Sequence, residues 1–119
     1  MTDVLIRETR AGDGPDCAEI WREAGRYFAA INPGTFRVPG LDGLSEWFEE
    51  VNAVYRDDED KTVLVAEADG VLIGSVAVSL QEPVDRADRQ VQTDLSRRRL
   101  HVDGLAVRET HRRGGAVLR

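Results

Sequence analysis

From Leu105 to Ala116 the sequence reads Leu-Ala-Val-Arg-Glu-Thr-His-Arg-Arg-Gly-Gly-Ala, an apolar strand-like run followed by a short turn, paired arginines and paired glycines. Glycines let backbone N–H groups converge, a helix start offers unpaired donors, and arginine adds a forked cation. Together they cradle an anionic phosphate group. By itself Arg-Arg-Gly-Gly also fits a surface turn; the strand in front of it is what favours the phosphate reading. Just upstream, His101 and Asp103 stand two residues apart, a spacing that puts both side chains on one face of a strand. Both are candidates for proton transfer. In structural roles, Asp103 would pair with the run Arg97–Arg99, and His101 would be a hydrogen-bonded strand residue.

These residues need a scaffold, and the rest of the chain supplies its elements. Val4 to Arg10 is a short strand closed by Ala-Gly-Asp-Gly-Pro. Pro15 suits the first helical position, with Asp13 or Gly14 to cap, and Cys17, Ile20, Trp21, Ala24, Phe28 and Ile31 recur at helical steps. Asn32-Pro33-Gly34 breaks that helix. A second helical stripe after Asp42 carries Leu44, Trp47, Phe48, Val51, Val54 and Tyr55, so both tryptophans lie on expected core stripes. Thr62 to Ala68 and Val71 to Leu80 are valine-rich strands joined by Asp69-Gly70, the dipeptide of a tight hairpin. Their continuous apolar character predicts burial on both faces, with Gly74 as a close-approach or bulge position. Gln81 to Arg97 is a polar loop with room for a helical turn, Leu100 to Val107 returns to strand pattern, and a helix is expected to open near Arg112.

Composition narrows the class. The chain has 119 residues, one cysteine and a net charge of −6. That length suits one domain, and a lone cysteine leaves apolar packing to hold the fold. Cys17 is a small core side chain in this pattern, and Asp57-Asp58-Glu59-Asp60 lacks the spaced ligands and turn glycine of a calcium loop, so no metal site is expected. No apolar stretch approaches the ~20 residues of a membrane span, and no leader pattern opens the chain, which points to the cytoplasm without a membrane partner. Residues 1–85 hold 7 basic and 18 acidic side chains, whereas 86–119 hold 9 basic and 4 acidic. Fifteen of the 16 bases are arginines. An acidic body would attract a cationic partner, and an arginine-rich end would attract an anionic one. The overall acidity and the lack of any aromatic residue after Tyr55 argue against nucleic acid.

With these residues in view, the chain resembles the GCN5-related N-acetyltransferase superfamily. The order of elements matches its N-terminal half, the Val63–Leu80 hairpin resembles its second and third strands, and His101 to Gly115 resembles its fourth strand and acetyl-CoA pyrophosphate loop. The family's loop has Arg or Gln, two residues, Gly, one residue, then Gly or Ala, with a valine five positions before the arginine. Val107, Arg112 and Gly115 fit; the last position falls on Val117. A frame shifted by one residue puts His111 in the arginine place and Gly114 and Ala116 in the glycine places.

The resemblance implies an α/β fold of acyl-CoA N-acyltransferase type, with a mixed, mostly antiparallel sheet and helices on both faces. It implies acetyl-CoA as co-substrate and a small-molecule or peptide amine as acceptor, acetylated by direct attack on the thioester. The backbone of Leu105, Ala106 and Val107 would pair with the pantetheine arm, and Arg112, Arg113, Gly114, Gly115 and Ala116 would hold the pyrophosphate. Asp103 or His101 would serve as base, and Tyr27, Phe36 and Trp47 would touch the acceptor. The alternative is a non-catalytic CoA-binding or interaction remnant of the same fold. Because the family continues past this loop with a helix and further strands, the chain reads as an N-terminal portion, with a second copy or another chain as a cover for its sheet.

Overall fold

The computed structural model describes residues 3–84, 87, 88, 90 and 96–112. Strand β1 (Val4–Glu8) leads into helix α1 (Gly14–Ile31), helix α2 (Leu44–Arg56), strands β2 (Lys61–Ala68), β3 (Val71–Gln81) and β4 (Arg99–Val107), and the single turn α3 (Glu109–Arg112). The four strands form one antiparallel sheet in the order β1-β2-β3-β4. The fold class is therefore α/β as expected from the sequence. Parts of the expected 81–97 loop, and the segment 113–119 where a helix was expected, lie outside the described residues.

The hairpin forms where Asp69-Gly70 predicts it. Asp69 and Gly70 have φ of 51° and 78°, the left-handed pair whose twist matches that of the flanking strands. Inside β3, a Cβ on Gly74 would stand 3.2 Å from the Ala106 carbonyl oxygen, so this glycine is the close-approach position between β3 and β4.

Two apolar clusters divide between the faces of the sheet. On one, Cys17 and Ile20 of α1 pack with Val65, Leu72 and Ala106, flanked by Ala24 and Phe48. Ala66, Ala68 and Ile73 form the other with Val4. Both long helices thus cover the same face. The opposite face, where the sequence also predicts helices, carries exposed Ile6, Leu80, Leu100 and Val102 among the described residues. None of the described helices is long and apolar enough to cross a membrane.

Polar groups lock the first strand to the helices. The Arg7 guanidinium donates to both Asp13 oxygens, at 2.8 and 3.1 Å, and Asp13 also accepts the Arg10 backbone N–H at 2.9 Å. Asp13 occupies the cap position of α1 but makes no capping bond from its side chain. Its place is taken by Glu49 of α2, whose carboxylate accepts the N–H groups of Gly12 and Gly14 and so favours the positive end of the helix from across the interface.

The second helix differs from its sequence pattern. Its buried residue is Asn52, 1% exposed, whereas Trp47 and Val54 of the expected stripe are 53% and 60% exposed. A polar residue on the inner side rotates the true packing face toward Phe48, Val51 and Asn52, and no hydropathy pattern registers it.

Candidate functional site

Strand β4 is not regular. Ala77 pairs with Asp103 and Ser75 with Ala106, so β4 spends two residues, Gly104 and Leu105, opposite the single Val76. Gly104 takes φ +65°, the left-handed geometry that lets one extra residue enter a strand. The bulge changes where the side chains before and after it go. Asp103 and Gly104 line one cavity, and Leu105, Ala106 and Val107 line another.

The larger cavity, about 780 Å³, lies between the second half of α1 and the end of β4. Its walls include Glu23, Tyr27, Phe28, the Leu105–Val107 segment and Arg112. β4 is the last strand of the sheet as described, so one of its edges has no neighbouring strand there, and an extended ligand arm can add to it by backbone pairing. Arg112 folds back over the strand end. Its Nε donates to the Val107 carbonyl at 2.7 Å, its guanidinium carbon stands 5.2 Å from the Tyr27 ring centre, and one terminal nitrogen is 3.9 Å from Glu23. Ring and carboxylate therefore hold the fork in place while leaving donor capacity toward the cavity. Glu23 also accepts the Glu109 backbone N–H, which ties α1 to the start of α3.

The smaller cavity, about 220 Å³, lies between α1, α2 and the sheet. Trp21, Trp47, Phe48 and Tyr55 contribute rings, and Cys17, Asn52, Ser75 and Asp103 contribute polar atoms. Asp103 is exposed, and among the described residues no ion pair or hydrogen bond ties it to a protein partner. Arg98 instead bonds Asp60 at 2.9 Å and Glu82 at 3.2 Å, fastening the start of β4 to the far end of the sheet. Burial pushes the Cys17 thiol above its ordinary pKa, against the smaller opposing effect of the Asn52 amide, which donates to the sulfur at 3.8 Å. A protonated, buried thiol has no nucleophilic role.

The structure brings together Leu105, Ala106, Val107, Arg112 and Tyr27 at one cavity and Asp103 and Trp47 at the other. His101 pairs with Ser79, is exposed, and lies outside both. Phe36 packs on Phe28 with ring centres 5.2 Å apart, also outside both cavities. Arg113, Gly114, Gly115 and Ala116 fall outside the described residues. Sequence reasoning passed over Glu23, Tyr55 and Gly104. Only Gly104 left a usable signal, a glycine inside a strand pattern.

The family model described as Acetyltransferase (GNAT) family matches residues 15–117. Among solved structures, a mutant protein from Bacillus halodurans aligns at 20% identity with a TM-score of 0.72, covering 93% of this chain and 66% of that one. An aminoglycoside N-acetyltransferase in complex with CoA aligns at 19% identity and a TM-score of 0.61, covering 99% and 64%. PaiA N-acetyltransferase from Thermoplasma acidophilum, in complex with coenzyme A, aligns at 14% and 0.59, covering 95% and 64%. The chain thus spans about two thirds of the length of these structures, and at such identities they show a shared fold. Comparison with curated proteins gives no match.

Proposed function

Because the chain belongs to the GNAT acetyltransferase family, we propose that it takes part in acetyl transfer from acetyl-CoA to a primary amine. One observation carries the reading: the bulge at Gly104–Leu105 divides a single strand between a cavity suited to a phosphate-bearing, strand-like arm and a cavity that holds the Asp103 carboxylate. When bound, acetyl-CoA supplies an acetyl thioester whose C–S bond is exchanged for a C–N bond to the amine.

The chain's own residues do the positioning. The free edge of Leu105–Val107 aligns the arm, and Arg112, steadied by Tyr27 and Glu23, meets a phosphate with charge-assisted bonds. Arg112 lines the larger cavity and His111 does not, which supports the loop frame that begins at Arg112. Residues Arg113, Gly114, Gly115 and Ala116 continue that loop in the same role. On the other side of the bulge, Asp103 accepts the proton that the ammonium must lose before its nitrogen can attack. His101, two residues away and exposed, carries that proton on toward bulk water. Tyr27 and Trp47 wall the reacting space, and Phe36 supports Phe28 behind it.

The test is a thermal shift of the 119-residue chain with acetyl-CoA, CoA and a CoA analogue lacking its phosphates, run beside Arg112→Ala. Acetyl-CoA and CoA are expected to raise the melting temperature, the analogue and the variant to show little or no rise. Absence of any shift sinks the reading. A shift without consumption of acetyl-CoA over a panel of amines would leave binding and remove catalysis.

A further inference from the structure

The smaller cavity has a composition that selects its occupant. Trp47 and Phe48 meet edge to face with ring centres 5.0 Å apart, and Trp21 meets Phe48 at 6.4 Å, so three rings form one continuous wall. Val63 and Ala77 close the floor. A dry apolar cavity of about 150 Å³ is enough to take a benzene ring. At about 220 Å³ this one holds a ring and an arm of two or three atoms.

Its polar groups are few and lie together. Asp103 stands at the strand end of the cavity beside Gly104, and among the described residues no lysine or arginine lines it, so the one formal charge these residues give the wall is negative. Asn52, buried to 1% exposure, has among the described residues one side-chain hydrogen bond, the weak donation to the Cys17 sulfur. A polyhydroxylated or peptide body brings many donors and acceptors that this wall leaves unpaired, and each such group weakens binding. A carboxylate or phosphate would meet Asp103 with like charge.

We propose that this cavity is the acceptor subsite and that the acceptor is a compact primary amine on one aromatic or similarly flat apolar ring, its nitrogen held at Asp103 and Gly104. The word acceptor rests on the acetyl-transfer reading; the binding does not. The ring lies against Trp21, Trp47 and Phe48, where the ammonium also gains from the aromatic faces, and a short arm brings the nitrogen to the bulge, where β4 passes into the larger cavity.

Trp21 and Trp47 are the two tryptophans of the chain and both line the cavity, so their fluorescence reports its filling directly. The 119-residue chain is titrated with 2-phenylethylamine, with 3-phenylpropanoate as the same body bearing the opposite charge and spermidine as charge without the body. We expect saturable change with 2-phenylethylamine, at a Kd at least tenfold below that of either comparator. Ala77→Leu, which fills the floor, and Trp47→Ala, at the exposed rim where folding is least affected, each weaken it at least fivefold. The proposal is overturned if either comparator binds as tightly, or if the folded variants retain the parent Kd. An acetyl-CoA thermal shift on the same samples separates the two readings. A shift with no amine binding overturns this subsite alone, and amine binding with no shift keeps the cavity's ligand class while removing its acetyl-transfer role.

Discussion

The Nε of Arg112 donates to the carbonyl of Val107 at 2.7 Å, so the arginine that follows β4 is anchored to the strand it follows. That bond, with the Tyr27 ring and Glu23, fixes the direction of the fork before any ligand arrives. Arg112→Ala should weaken acetyl-CoA about 10- to 100-fold, the range for losing one charge-assisted contact. Arg112→Lys should recover only part of it, since an ammonium keeps the charge without the planar fork. Isothermal titration of acetyl-CoA into both variants checks this; equal affinity for Ala and wild type would remove Arg112 from the binding site.

Asp103 lines the opposite side of the bulge. Asp103→Asn should lower kcat by about 10²–10⁴-fold, the usual weight of a general base, while leaving the acetyl-CoA Kd unchanged. His101→Gln should have a smaller effect, because His101 lies outside both cavities. Steady-state rates beside binding constants distinguish a lost base from a misplaced cofactor.

The bulge itself can be tested at Gly104. Its φ of +65° costs an ordinary L-residue about 1–2 kcal/mol. A Cβ there would meet Trp21 only at 3.5 Å, so the penalty is conformational and not steric. Gly104→Ala should lower the melting temperature by several degrees and weaken acetyl-CoA by displacing Leu105–Val107, and Gly104→Asn, which tolerates this geometry better, should recover part of both. Thermal melts with and without ligand measure the two effects.

Acid should act through Asp13. Burial alone would raise its pKa, but the Arg7 bonds and the Arg10 N–H together hold the carboxyl below its ordinary value. A carboxyl so lowered stabilises the fold fully above its unfolded pKa of about 3.9 and loses that contribution as pH falls through the folded value. Asp13→Asn should therefore cost about 1–3 kcal/mol near pH 7, since it removes the two charge-assisted bonds and leaves Arg7 only the longer contact to Glu67 at 3.5 Å. The gap from wild type should narrow as pH drops below about 4. Denaturant melts across pH decide it; a gap that widens in acid contradicts the assignment.

Cys17 offers a test of the core. With its thiol 1% exposed and its pKa raised, it should react with a disulfide reagent far more slowly than an exposed thiol does. Immediate reaction under native conditions would place it elsewhere.

Where a local rule determines structure, the sequence could be read. Asp69-Gly70 dictates its turn, the three-and-four spacing from Cys17 to Ile31 yields α1, and the run into Arg112 marks the likeness to the acetyltransferase family before any fold is known. The site was readable to the extent that it is one contiguous segment, as at Leu105–Val107 with Arg112. It was not readable where partners come from distant segments: Glu23 reaches Glu109 across 86 positions, and Glu49 caps α1 from 35 positions away. Nor did hydropathy find the inner face of α2, because Asn52 at its centre is polar and Trp47 stands half exposed at the rim of the smaller cavity.

Taken alone, the sequence determined the element types, the hairpin turn and the family, since propensity, turn chemistry and motif spacing act over a few residues. Tertiary packing alone decided that Asp103 and Leu105, two residues apart, open into different cavities. The left-handed Gly104 inserts one residue into the strand, and only the pairing of β4 with β3 and the helices packed above give that insertion two separate spaces to face.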